Sequence, residues 1–259
     1  MKLRILLAAA LLAAVGLGVW ALGARSGGSA ELQVAWRAPA ALPPGVSVRE
    51  GFTELPRRWR VVDLAIDLGK AELRVARAPG AGGAGGRLAD MVPPGALAAV
   101  NGGYFDEKYR PVGWLVDRGT ELAPRVSRTS GGVVAVRAGG LYIGPLKEVP
   151  WKPEFALQNG PRLVEAAGQI GIRTDDGKRA ARTVACDAAG RLHLILLLAP
   201  PHEGPTLHET ARLLVAMGCR AALNLDGGPS SGLWLPEAAG LAASAPAAPI
   251  AYGLAVMPR

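Results

Sequence analysis

Apolar and polar residues alternate along much of this chain with the two-residue period of strands, and a helical period appears clearly only once. Val61-Val62-Asp63-Leu64-Ala65-Ile66-Asp67-Leu68 reads as a half-buried strand. Gly69-Lys70 follows as a tight turn into Ala71 to Ala78, which predicts a hairpin. Pro79 to Gly86 reads as a flexible loop. A short helical turn is expected around Leu88 to Met91, ended by Pro93-Pro94. Val112–Val116 with Thr120–Leu122 around Arg118-Gly119 predicts a second hairpin. Val133–Arg137 with Leu141–Ile143 around Gly139-Gly140 predicts a third. Thr183–Asp187 and Arg191–Leu198 pair around Ala189-Gly190. The helical exception starts at Thr206, an N-cap with Glu209 three residues on, which completes a capping box. Leu207, Ala211, Leu214 and Met217 then recur at helical spacing, and Gly218 stops the helix. It feeds directly into a short apolar strand, Ala221 to Leu225. The expected architecture is a single α+β domain over residues 31–259: a β-rich mixed sheet with hairpins, mostly paired in sequence, and a few flanking helices.

Residues 1–30 follow a different pattern. Lys2 and Arg4 form a basic start, and Ile5 to Leu22 is continuously apolar or small. Ala21-Leu22-Gly23 and Gly28-Ser29-Ala30 both suit cleavage after small residues. The run is long for a signal peptide and barely long enough to span a bilayer. A cleaved signal peptide and an N-terminal membrane anchor with a short linker both stay open, and no lipobox cysteine follows. Either way the rest of the chain is expected outside the cytoplasm, periplasmic or secreted. That compartment permits a disulfide between Cys186 and Cys219, though two buried thiols beside apolar strands fit equally. No Cys or His spacing suits zinc.

Charge narrows the partners. The formal net charge is +8, with an isoelectric point of about 10.0. The basic residues are scattered, mostly Arg, with no run and no aromatic interleaving, so a nucleic-acid partner is not indicated. An anionic polymer, an envelope surface or a phosphodiester substrate is expected instead. A high-GC genome would also produce this abundance of Ala, Gly, Pro and Arg.

Two stretches carry candidate chemistry. Asn224-Leu225-Asp226-Gly227-Gly228-Pro229-Ser230-Ser231-Gly232 is a strand ending in a carboxylate, then a glycine- and serine-rich turn. Such a turn brings backbone N–H groups close to an anion or sugar, and the serines add hydroxyl donors. An ordinary acidic β-turn has the same residues. Ala98-Ala99-Val100-Asn101-Gly102-Gly103-Tyr104-Phe105-Asp106 repeats the plan with aromatics before its carboxylate. Other motifs fail. Gly80-Ala81-Gly82-Gly83-Ala84-Gly85 matches a dinucleotide fingerprint, but Pro93-Pro94 truncates the helix that must follow. His208-Glu209 lacks a second zinc histidine, because Arg212 occupies its place. His193, His202 and His208 have no ligand spacing, and no Gly-x-Ser-x-Gly elbow occurs.

The two stretches, in this order, resemble the phosphodiester glycosidase family, whose members include the lysosomal "uncovering enzyme" that removes N-acetylglucosamine from a sugar-phosphodiester. Arg182-Thr183-Val184-Ala185 and Gln158-Asn159-Gly160-Pro161-Arg162-Leu163-Val164 are similar to the motifs between them. The likeness runs from about Leu42 to the C-terminus. Pro229 and Cys186 depart from it, each standing where a glycine is frequent. The resemblance implies a hydrolase that cleaves a sugar-1-phosphodiester to free sugar and phosphomonoester. Asp226, Asp106 and Asn101 are then the candidate catalytic residues, with both carboxylates expected on one cleft. Arg182 would grip phosphate with its planar fork. Thr183, Gly102, Gly103, Asn224, Gly227, Gly228, Ser230 and Ser231 would contact the substrate. Strand-end hydrogen bonds and turn geometry explain the asparagines and glycines as readily. No organic cofactor is implied, and a divalent cation at the acidic turns stays open. The rival reading is a non-catalytic envelope polysaccharide-binding protein on the same scaffold. A third reading breaks the phosphorus–oxygen bond instead.

Overall fold

The computed structural model describes residues 33–37, 40–41, 45–54, 57–77, 85–127 and 131–259. The expected targeting segment and most of the Pro79–Gly86 loop lie outside these residues. What is described belongs to one compact unit, Glu31–Arg259. Among the described residues no helix is long and apolar enough to cross a membrane.

The strands are β1 (Val34–Trp36), β2 (Ala40–Ala41), β3 (Val46–Thr53), β4 (Arg60–Ile66), β5 (Ala71–Ala76), β6 (Ala98–Asn101), β7 (Leu115–Asp117), β8 (Thr120–Ala123), β9 (Gly132–Arg137), β10 (Gly140–Pro145), β11 (Phe155–Asn159), β12 (Arg162–Glu165), β13 (Gln169–Ile170), β14 (Arg182–Ala188), β15 (Arg191–Leu198), β16 (Ala221–Asn224), β17 (Leu233–Trp234) and β18 (Gly253–Pro258). Helix α1 is a single turn, Leu88–Met91, and α2 spans Leu207–Ala216. Nine strands form a large sheet in the order β1-β3-β4-β15-β14-β16-β12-β13, with β2 attached to β3. Five form a second sheet, β10-β9-β11-β7-β8, and four a third, β17-β6-β18-β5.

The leucine-rich β15 runs through the centre of the large sheet and is covered on both faces. Leu192, Leu194 and Leu196 point into a core shared with Val134, Val136 and Leu157 of the second sheet and Val100, Leu254 and Val256 of the third. Ile195 and Leu197 face the other way, against Ala211, Leu213 and Leu214 of α2. The Thr206–Glu209 capping box forms as expected, with both reciprocal hydrogen bonds present. A disulfide between Cys186 of β14 and Cys219, just beyond α2, ties helix to sheet and settles the cysteine alternative.

The α+β label holds only approximately: the fold is mostly β, since α2 is its one helix of more than a turn among the described residues. Three expectations need correction. The sheets are not mixed: every strand pairing among the described elements is antiparallel. The physical reason lies in the β15–α2–β16 crossover. It returns the chain in the same direction, but β14 lies between the two strands and pairs antiparallel with both. The β4–β5 hairpin is also absent. The Asp67 carbonyl accepts from the N–H groups of Lys70 and Ala71, so the turn exists. Beyond it, β5 leaves for the third sheet and pairs with β18, far away in sequence. Nor is β4 half-buried. Asp63 is 1% exposed; its carboxylate pairs with Arg49 and lies 2.7 Å from His193 Nδ1.

Candidate active site

The two glycine-bearing stretches start at the ends of two strands from different sheets, β6 in the third sheet and β16 in the large one. Backbone and asparagine hydrogen bonds sew these ends together. The Asp226 N–H donates to the Gly102 carbonyl at 3.2 Å. Asn101 Nδ2 donates to the Asp226 carbonyl at 2.8 Å, while its Oδ1 accepts from Gly232 N–H and the Thr183 hydroxyl at 3.1 and 2.7 Å. Asn101 and Thr183 are fully buried, and Ser231 lies 3.2 Å from the Thr183 hydroxyl. These three side chains join β6, β14 and the turn after β16. They are positioning residues. Asn101, expected to be catalytic, has both ends of its amide engaged within the protein, which favours the positioning role.

A second asparagine clamp comes from β11. Asn159 Nδ2 donates to the Asn224 carbonyl at 2.9 Å, and its Oδ1 accepts from the Tyr104 N–H at 2.9 Å. The Tyr104 hydroxyl donates to the Gly160 carbonyl at 2.6 Å and accepts from Asn224 Nδ2 at 3.3 Å. The Gly160–Pro161 peptide is cis. Asn224 Nδ2 also donates to the carbonyls of Gly160 and Leu225. Its Oδ1 has no donor among the described residues, although the residue is 3% exposed. A buried acceptor left unpaired costs about 1–3 kcal/mol. A substrate hydroxyl or N–H reaching this oxygen would offset that cost.

The glycines serve packing more than ligand approach. A Cβ on Gly102 would overlap the Tyr252 ring, and one on Gly103 would lie 2.8 Å from Asn159 Oδ1 and 2.9 Å from the Tyr252 hydroxyl. Tyr252 is buried, and its hydroxyl accepts from the Gly103 N–H at 3.0 Å. The expected substrate contacts of Gly102 and Gly103 are thus replaced by contacts with Tyr252, a residue the sequence reading did not single out. A Cβ on Gly227 would press on the Ala181 carbonyl at 2.9 Å, while Gly228 takes φ +58, where a side chain is strained. Gly228 N–H donates to the same Ala181 carbonyl at 2.8 Å. Together they dock the second turn onto the segment leading into Arg182.

The charged groups are then few. The Asp226 carboxylate is half-buried and accepts from Gly227 N–H at 2.9 Å and from the Ser230 hydroxyl. Burial pushes its pKa above the usual carboxylate value despite those donors. Arg182 is held by two carbonyls, with Nε donating to Pro205 at 3.1 Å and Nη2 to Lys178 at 2.7 Å. Burial pulls its pKa down, and no carboxylate lies within ion-pair distance among the described residues. Tyr104 feels both charges. Burial raises its hydroxyl pKa most, the Asp226 carboxylate adds to the rise, and the Arg182 cation opposes it. A carboxylate, a guanidinium without a carboxylate, a phenol and an open amide oxygen thus converge.

Asp106 stands apart from this cluster. It occupies an exposed turn, where Oδ1 accepts from the N–H groups of Lys108 and Arg110 and Oδ2 receives Arg110 Nε at 2.7 Å. The Arg110 guanidinium holds its carboxyl below the usual range. Asp106, expected to share a cleft with Asp226 as a catalytic partner, makes no hydrogen bond or ion pair with it among the described residues. Its hydrogen-bond partners lie in its own loop, and its charge is already matched. Among the described residues no group of three His, Cys, Asp or Glu side chains could hold a metal ion.

Comparison with known proteins bears on the fold and the family. Among solved structures, the chain is similar to the zebrafish N-acetylglucosamine-1-phosphodiester alpha-N-acetylglucosaminidase catalytic domain, described as auto-inhibited by its pro-peptide. That match has a TM-score of 0.66 at 20% identity and covers 90% of this chain and 85% of that one. A Synechocystis protein matches with a TM-score of 0.63 at 16% identity, over 88% of this chain and 68% of its own. A Burkholderia pseudomallei K96243 protein matches with a TM-score of 0.59 at 16% identity, over 78% and 74%. At such identities these likenesses establish the fold alone. No curated protein sequence matches. The family model for phosphodiester glycosidases, however, matches residues 94–257, a span that contains both glycine-bearing motifs, Arg182 and Tyr252. The chain belongs to the phosphodiester glycosidase family.

Proposed function

We propose that this protein is an exported hydrolase that cleaves the bond between an anomeric carbon and a phosphodiester oxygen. The observation that carries the reading is that Asp226, a half-buried carboxylate, and Arg182, a cation held by carbonyls, both act on the Tyr104 hydroxyl. A guanidinium held this way is pre-oriented to take a phosphate in bidentate fashion. Phosphate leaves as a stable anion, so a strong general acid is not required, and a fixed cation matters more. Asp226, ionised, then removes a proton from the attacking water. The water oxygen bonds to the anomeric carbon, and the glycosidic electron pair passes to the phosphate oxygen beside Arg182. Free sugar and phosphomonoester result, with the water proton on Asp226. Asn224 Oδ1 accepts from a donor on the sugar, and Ser230 keeps the carboxylate in place. The basic, apolar N-terminal segment and the Cys186–Cys219 disulfide support export to an oxidising compartment. Incubation of the protein with a panel of sugar-1-phosphodiesters tests the reading. Free sugar should appear with the wild type and be lost in Asp226→Asn; tight binding of a polysaccharide with no turnover would replace it with the binding-protein reading.

A further inference from the structure

Asp106, left without a catalytic role, borders a cavity of about 540 Å³ beside the Tyr104–Val112 loop. Two arginines line it. Arg110 is fixed by Asp106, which receives its Nε and Nη2 at 2.7 and 2.6 Å. Arg77 makes no ion pair among the described residues. One carboxylate against two guanidiniums leaves the cavity with a net positive charge. Tyr109 supplies an aromatic wall, its ring stacked on Phe105 with centroids 5.3 Å apart.

The loop that shapes this cavity also shapes the candidate active site. Tyr104 begins it with its hydroxyl beside Asn224, and its carbonyl accepts from the N–H of Val112 on the cavity wall at 2.8 Å. Phe105 and Pro111 bridge the loop between them. Tyr252, buried beneath Gly102 and Gly103, feels the Asp226 carboxylate as well as the Arg77 cation. The two positions are therefore linked through the Tyr104–Val112 loop.

We propose that the Arg77–Arg110 cavity is an anion subsite that takes a phosphate group on the aglycone of an extended phosphodiester substrate. Its place on the substrate rests on the hydrolase reading above; its capacity to bind an anion does not. Asp106 acts as a positioning residue that holds Arg110 toward the cavity.

Two measurements separate these claims. The first is titration calorimetry of inorganic tripolyphosphate at low ionic strength, in an Arg182→Gln background that removes the first phosphate site (Arg182→Lys if that variant does not fold). Adding Arg77→Gln and Arg110→Gln should weaken binding about tenfold or more, the loss expected for two charge-assisted contacts. Adding Arg137→Gln and Arg191→Gln, two exposed arginines elsewhere, removes the same charge and should change it less than about threefold. Equal losses in both pairs, or none in the first, would overturn the subsite. The second measurement compares sugar-1-phosphodiesters whose alkyl aglycone ends in phosphate or in a neutral group. Wild type should favour the phosphate-ended substrate about tenfold in kcat/KM, and the Arg77→Gln, Arg110→Gln variant should lose that preference. Equal rates in wild type would also overturn the subsite. Turnover of neither, with tripolyphosphate binding intact, would reject the hydrolase reading and leave the anion site standing.

Discussion

The Asn101–Asp106 and Asn224–Ser231 stretches share a sequence plan and end in opposite chemistry. In the second, the carboxylate precedes the paired glycines, and the strand end carries Asp226 into a half-buried position where burial raises its pKa. In the first, the carboxylate comes three residues after the glycines, beyond the aromatic pair. Asp106 therefore reaches an exposed turn and is matched at once by Arg110. The asparagines diverge too, although both precede their glycines. Asn101 has both amide atoms engaged, whereas the buried Asn224 oxygen has no partner among the described residues. For the carboxylates, what decides the role is the side of the glycine turn on which they fall; for the asparagines, it is which donors reach the amide oxygen.

The largest effect expected from breaking this contrast is on turnover. Asp226→Asn should lower kcat by about 10²–10⁴-fold, the usual contribution of a positioned proton acceptor. The same change should raise thermal stability at neutral pH. A carboxylate whose folded pKa is raised contributes no penalty while both states are protonated. Stability is lost as pH rises from the unfolded value near 3.8 through the raised folded value. The variant escapes that loss, so its melting temperature should exceed that of the wild type at pH 7 and converge with it below the unfolded pKa. A lower melting temperature at pH 7 would contradict the burial argument.

Arg182→Gln should lower kcat/KM by about 10²–10³-fold, as removal of one fixed transition-state donor does. Steady-state kinetics on one sugar-1-phosphodiester would check it, and a loss below fivefold would remove the arginine from the phosphate site. The disulfide braces the second stretch and not the first, because Cys219 leads into β16. Replacing Cys186 and Cys219 with Ala should cost about 3–4 kcal/mol in denaturant unfolding, given the 33-residue separation. Amide exchange should rise more at Leu223 to Asp226 than at Ala98 to Asn101.

Activity should climb with pH through a limb lying above the ordinary carboxylate range, because Asp226 must be ionised and burial opposes that. A limb at the unperturbed value would assign the titration to another group. The smallest effect belongs to Asp106. Asp106→Asn should change turnover of a substrate with a small neutral aglycone less than about tenfold, since its carboxylate acts on Arg110.

The elements legible in the sequence were those set by neighbours along the chain. The β7–β8, β9–β10 and β14–β15 hairpins and α2 follow from local alternation, turn glycines and the Thr206–Glu209 box. The pairing of β5 with β18 was not legible, because a turn at Gly69-Lys70 gives the same signal whether the chain doubles back or changes sheet. Of the site, the glycine-bearing strand ends could be read directly, and Arg182 only through the family resemblance. Tyr252 and Asn159 could not be assigned roles. Each acts through contacts with Gly102, Gly103, Tyr104 or Asn224 that no local pattern encodes. One signal did exist for Tyr252: two successive glycines at the end of a buried strand imply a bulky neighbour pressed against the backbone.

The account's central claim is that Asp226 directs water to an anomeric carbon while Arg182 holds the departing phosphate. Hydrolysis of a sugar-1-phosphodiester in oxygen-18 water, by wild type and Asp226→Asn side by side, tests it most directly. The prediction is label in the free sugar, none in the phosphomonoester, and sugar release by the variant slowed about 10²–10⁴-fold. Label in the phosphate, or undiminished sugar release by Asp226→Asn, would contradict it.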